Sequence, residues 1–87
     1  MPVLIRHRSA ALTPELYDQV SPPLIELLRK APGFLVHAAY VDADGFCVAE
    51  LWETQAQHDA WFKENVVPNI PVVISQEVIE LKSLYQP

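Results

Sequence analysis

One cysteine, two glycines and six basic residues are all that 87 positions contain of these types, and each shortage removes a class of protein. A single cysteine, Cys47, allows no intrachain disulfide, which suits a reducing, cytoplasmic setting. The glycines, Gly33 and Gly45, are accounted for by a helix end and a turn, so no glycine-rich phosphate loop exists. Against six Lys and Arg stand eleven Asp and Glu, giving a net charge of −5. Such a chain repels phosphate backbones, and nucleic acid is not expected as a partner. No run approaches the roughly 20 apolar residues that span a bilayer, so no membrane is expected either. The opening MPVLIRHRS lacks the apolar core of a signal peptide. There is no nucleophile elbow. The histidines, His7, His37 and His58, show no ligand spacing such as H-x-x-x-H, so no metal site is expected. Nothing calls for a cofactor.

What is present is apolar residue in quantity, at 51%, and proline, at eight positions. The length suits one domain, residues 1–87. The most informative stretch is GFLVHAAYVDADGFCVAELWET, Gly33 to Thr54. It reads as two strands joined at Asp44-Gly45, a pair suited to a type I′ hairpin turn. Side chains alternate along each strand, so His37, Glu50 and Trp52 share one face. Val36, Ala38, Tyr40, Cys47, Ala49 and Leu51 share the other.

The flanking segments complete the order. Val3 to Arg8 is a first strand. Thr13-Pro14-Glu15 opens a helix with a capping hydroxyl, a proline in the first turn and an acid at the positive dipole end. Leu16, Val20, Pro23, Leu24, Leu27 and Ala31 form its apolar stripe. Pro22 and Pro23 predict a break near Ser21, which would recap a second segment and open a pocket mouth. Thr54-x-x-Gln57 matches a capping box and opens a second helix with His58, Trp61, Phe62, Asn65 and Val66 on one stripe. Pro68 stops it, and Gln76 to Leu84 is the last strand. The order β-α-β-β-α-β predicts an α+β ferredoxin-like sandwich: a four-stranded antiparallel sheet with two helices on one face.

Sorting the faces by apolar content puts Val3, Ile5, Val36, Ala38, Tyr40, Cys47, Ala49, Leu51, Ile79 and Leu81 against the helices. The face with His37, Val48, Glu50 and Trp52 is then left open, and its simplest cover is a second copy of the sheet, making a homodimer. An RNA-recognition module shares the element order, but Glu50, Glu80 and the net charge oppose it.

Gly33-Phe34-x-x-His37, Glu50-x-Trp52-Glu53-Thr54 and the helix end at Val67-Pro68 together resemble short members of the antibiotic biosynthesis monooxygenase-like group. That resemblance covers Val3 to about Leu84 and implies a dimeric α/β barrel, a small pocket in each subunit and, in some members, cofactor-free oxidation of aromatic or quinol substrates. Of the residues such oxygenases use, Trp52 has a match here; no asparagine falls on a strand. The function expected is a small homodimeric protein that binds a small apolar or aromatic metabolite and acts as a cofactor-free monooxygenase. The alternative is a non-catalytic ligand-binding or structural homodimer. Two sites compete. One is a cavity near the second helix, lined by Tyr17, Tyr40, His58 and Trp61, and the other is His37 with Glu50 and Trp52 on the dimer side. His37 and His58 are the candidate catalytic bases, because imidazole titrates near neutral pH; Tyr17, Tyr40, Glu50, Trp52 and Trp61 are the candidate substrate contacts.

Overall fold

The computed structural model of the chain describes residues 1–70 and 72–87. Its elements are β1 (Val3–Arg8), α1 (Pro14–Leu28), β2 (Phe34–Asp42), β3 (Gly45–Trp52), α2 (Gln55–Trp61) continued by a π-helical turn (Phe62–Val66), and β4 (Ser75–Glu80). The sheet runs β2-β3-β1-β4 with every neighbouring pair antiparallel. This is the predicted ferredoxin-like α+β fold. Among the described residues no helix is long and apolar enough to cross a membrane.

The helix starts form as their caps dictate. Thr13 Oγ1 accepts the Leu16 N–H at 3.1 Å and Thr54 Oγ1 accepts the Gln57 N–H at 3.2 Å. Gln57 completes its cap differently from a capping box: its side-chain oxygen accepts from the Thr54 hydroxyl.

α1 does not break at Ser21. Pro22 and Pro23 lie inside one continuous helix, and both prolines are exposed. Their rings remove the amide donors that would meet the carbonyls of Asp18 and Gln19. Those residues also face solvent, where water can satisfy the freed carbonyls. The opposite stripe, through Val20, Leu24, Ile25 and Leu28, packs on the sheet and holds the helix together.

The hairpin keeps its predicted faces but not its predicted turn. Asp42 pairs with Gly45, Val41 with Phe46 and His37 with Glu50, so Ala43 and Asp44 form the loop. Gly45 has φ of +112°, and among the described residues no non-glycine has a positive φ. A type I′ turn, which needs positive φ at both central residues, is therefore excluded. The register slips between Phe34 and Val36, a bulge that lets Phe34 turn inward against Trp52 (ring centroids 5.7 Å apart).

The larger correction concerns the two faces of the sheet. Val3 pairs with Trp52, Ile5 with Glu50 and His7 with Val48. Val3, Ile5, Val48, Glu50 and Trp52 are all buried, and the core cluster is Val3, Ile5, Leu28 and Trp52. Trp52 and Glu50 therefore face the helices, and Val36, Ala38, Tyr40, Ala49, Leu51 and Ile79 lie on the open face. Apolar content misled because Ala38, Ala49 and Cys47 are small, whereas Trp52, Val48 and Phe34 offer more surface to the helices. Glu50 is admitted to that side because partners there satisfy it. Cys47 is buried on the open face, opposite Tyr40 of β2.

At the rim of the open face the Arg8 guanidinium meets both carboxylate oxygens of Asp42, with Nη1 donating to Oδ1 at 3.0 Å. This bond holds the Asp42 carboxyl below its ordinary value. A depressed folded-state pKa contributes stability above the unfolded value, about 3.9, and loses it as pH falls through the folded value. Asp42→Asn is expected to lower the melting temperature by a few degrees at most at pH 7. Thermal unfolding of parent and variant should converge near pH 2; a gap that persists there would contradict this account.

Candidate functional site

The helix-facing side of the sheet carries a row of polar groups in an otherwise apolar layer: His7 on β1, His37 on β2 and Glu50 on β3. They sit there by strand alternation, His7 two residues beyond Ile5, His37 opposite Glu50 and Glu50 opposite His37. Glu50 is 5% exposed. Its two oxygens take different donors, Trp52 Nε1–H to Oε1 at 2.9 Å and His37 Nδ1–H to Oε2 at 2.8 Å. Beyond His37, the Tyr17 hydroxyl of α1 lies 2.7 Å from Nε2. With Nδ1 donating to a carboxylate, Nε2 holds the lone pair and the tyrosine donates. The result is a continuous chain, Trp52–Glu50–His37–Tyr17, from the core to the inner side of α1.

The electrostatics follow from burial and partners. Burial pushes Glu50 toward the neutral acid, but the His37 bond, the His7 ring and the Trp52 N–H together outweigh it and hold the carboxyl below the ordinary glutamate value. Burial lowers the His7 pKa, opposed in part by Glu50 and by the bond to Val48. Burial raises the Tyr17 pKa, so its hydroxyl stays protonated at neutral pH.

The chain borders a cavity of about 60 Å³ between α1, the π-helical turn and the sheet. Tyr17, His37, Glu50, Trp61, Phe62 and His7 line it together with aliphatic side chains of α1. Val20 and Ser21 also reach it, so this part of α1 contributes wall although the helix is unbroken. The π-helical turn is closed by the Val67 N–H donating to the Phe62 carbonyl at 3.1 Å. It widens the helix where Phe62 meets the cavity, a frequent position for such turns. Trp61 Nε1 is buried with no hydrogen-bond partner among the described residues.

The two sites expected from the sequence are thus one. Tyr17, Trp61, His37 and Glu50 line a single cavity, and Trp52 stands behind Glu50. His58 is fully buried and does not reach the cavity wall; its Nε2 lies 2.9 Å from Nε2 of His7, which does. Tyr40 belongs to neither, because β2 alternation turns it to the open face, on the other side from His37. The expected dimer-side position of His37, Glu50 and Trp52 is likewise wrong, for the register reasons given above. The residue that sequence reasoning missed is His7. Its alternation with Val3 and Ile5 is visible in the sequence, but its partners lie 41 and 51 residues away.

Comparison with protein-family models and with curated proteins finds no match. Solved structures do match in fold. SnoaB, a cofactor-independent oxygenase from Streptomyces nogalater, superposes with a TM-score of 0.68 at 10% identity, over 95% of this chain and 94% of its own. A heme-degrading protein from Mycobacterium tuberculosis gives 0.65 at 21% identity, over 99% and 100%. The monooxygenase of ActVA-Orf6 from Streptomyces coelicolor, solved with Nanaomycin D, gives 0.59 at 17% identity, over 99% and 91%. The fold is therefore that of the antibiotic biosynthesis monooxygenase-like proteins, as the sequence motifs suggested. At these identities the likeness carries the fold; the chemistry must come from the site.

Proposed function

We propose that the chain is an oxygenase that works by proton abstraction on a small phenol bound in the cavity, with His37 as the base. The observation that carries this reading is the Glu50–His37–Tyr17 chain ending at an apolar cavity. A buried carboxylate holds the imidazole with its lone pair aimed at Tyr17, and the tyrosine oxygen offers the cavity an acceptor. A phenol hydroxyl donates its proton to Tyr17 Oη while the Tyr17 proton passes to His37 Nε2, and Glu50 balances the imidazolium. Trp61 Nε1, an unpartnered buried donor, suits the phenolate oxygen.

The phenolate then gives one electron to dioxygen. The radical pair couples at the para carbon, the peroxide takes back the proton, and loss of water leaves a quinone. The balance is phenol plus dioxygen to para-quinone plus water. At about 60 Å³ the cavity is smaller than the roughly 150 Å³ that holds a benzene ring, so even a single-ring substrate enters only as the α1 wall or the π-helical turn gives way. The shared fold of a cofactor-independent oxygenase supports this reaction type.

Oxygen uptake with a panel of single-ring phenols tests it. The parent should consume one dioxygen per quinone formed. His37→Gln should lower kcat by about 10²–10⁴-fold, the usual range for a general base, and Glu50→Gln, which removes the charge that balances the imidazolium, should act in the same direction. Ligands that quench tryptophan fluorescence without any uptake would overturn the oxygenase reading in favour of a non-catalytic binding protein.

We further propose that the open face pairs with a second copy. Val36, Tyr40 and Ile79 are 41%, 38% and 37% exposed there, around Ala38 and Ala49 at the centre. Arg6 and Glu77 flank them as an ion pair at 3.4 Å, so the face carries both charge signs and can complement itself across a two-fold axis. Sedimentation should give a dimer at micromolar concentration and a folded monomer for Ala38→Glu. A monomeric parent would contradict it.

A further inference from the structure

Behind the cavity wall, His7 and His58 meet in a way that the proton chain does not use. Their Nε2 atoms are 2.9 Å apart. Each outer nitrogen is committed as a donor: His7 Nδ1 to the Val48 carbonyl at 3.0 Å and His58 Nδ1 to the Asp59 carboxylate at 2.8 Å. A carbonyl or a carboxylate can only accept, so both Nδ1 atoms carry hydrogen and both Nε2 lone pairs point at one another. Two facing lone pairs at this distance require a positive centre between or beside them. A proton or a metal ion can supply it.

We propose that His7 and His58, with Glu50 as third ligand, form a binding site for a divalent first-row transition metal. Ligand atoms of the three residues lie within 4.8 Å of one another, and all three residues are buried. The outer-nitrogen bonds to a backbone carbonyl and a carboxylate are the arrangement that orients metal-bound histidines and fixes their tautomer. Metal–nitrogen bonds of about 2.0–2.1 Å at a tetrahedral angle place two nitrogens about 3.3 Å apart, so the rings need to part by only about 0.4 Å. Glu50 keeps a second lone pair on each oxygen beside its bonds to His37 and Trp52. It reaches the ion by a shift of its carboxylate or through one water. Phe62 stacks on His7 (5.5 Å, 9°) and Trp52 sets its edge against His58 (5.6 Å, 82°), which hold both rings in place.

Two imidazoles and one carboxylate suit zinc, iron(II) or cobalt(II) and leave coordination positions free. His7 and Glu50 both line the cavity, so a free position would take an anionic oxygen of a ligand there. The spacing of 51 residues between the histidines explains why no sequence motif announces the site. The proposal does not depend on the oxygenase reading, and its test reads metal alone.

Chelator-treated protein is titrated with Co²⁺, followed by visible absorption, and with Zn²⁺, followed by calorimetry. The expected result is one ion per chain with a dissociation constant in the micromolar range or tighter. Co²⁺ should give d–d bands as strong as those of four- or five-coordinate sites. His58→Gln should abolish the bands. Asp59→Asn changes a half-exposed residue and keeps the fold, and should weaken binding about 10–100-fold. Cys47→Ala should leave binding unchanged. Absence of saturable binding, or binding that survives His58→Gln, would overturn the proposal. So would nitrogen NMR of the parent in excess Zn²⁺ that still shows a proton shared between the two Nε2 atoms.

Discussion

A carboxylate cannot be buried alone, and the side of the sheet that carries Glu50 is organised around that constraint. Taking an ion out of water costs several kcal/mol even after relaxation, and removing one partner of a buried pair costs about 3–5 kcal/mol. Glu50 is 5% exposed, and each oxygen has a donor from a different direction: an indole two residues along its own strand and an imidazole on the neighbouring one. These bonds tie the orientation of Trp52, the largest fully buried side chain, to that of His37. His37 in turn fixes the Tyr17 hydroxyl, and so the approach of α1. The cavity is what remains where the aliphatic side of α1 and the π-helical turn meet this polar row.

The same constraint marks the limit of what could be read from residue order. Local chemistry was legible: Thr13 and Thr54 cap the helices, the hairpin alternation puts His37 on one face with Glu50 and Trp52, and the order of elements leads to the observed fold. The turn lies one residue earlier than expected, at Ala43-Asp44, which moves every cross-strand partner by two and changes no face, because strand parity survives an even shift. The choice between faces was not legible. It depended on whether a His–Glu–Trp row counts as polar surface or as a satisfied internal network, and only the pairing of β1 decides that. Val3 and Ile5 lie opposite Trp52 and Glu50, which places the network inside. Pro22 and Pro23 misled for a related reason: a proline's cost in a helix is small where water can serve the freed carbonyls. His7 and His58 carry no local signal because strand β1 and helix α2 meet only in the folded chain.

One fold here serves proteins named for different chemistry, a cofactor-independent oxygenase and a heme-degrading protein among them. The sheet and helices supply a protected space between layers and leave its lining free to vary. In this chain the lining divides into two polar groups that share Glu50. On one side stand His37 and Tyr17, arranged for proton transfer, and on the other the paired imidazoles of His7 and His58. The mixed open face, with its exposed Val36, Tyr40 and Ile79, is separate from both.

The claim on which this account rests is the orientation of His37, with hydrogen on Nδ1 toward Glu50 and the lone pair on Nε2 toward Tyr17. Nitrogen–proton correlation spectra of labelled protein at neutral pH measure it directly. The account predicts a slowly exchanging proton on Nδ1 of His37 and the shift of an unprotonated Nε2, changing when Tyr17→Phe removes the hydroxyl donor. A proton on Nε2 with Nδ1 bare, or a His37 signal indifferent to both Glu50→Gln and Tyr17→Phe, would contradict it.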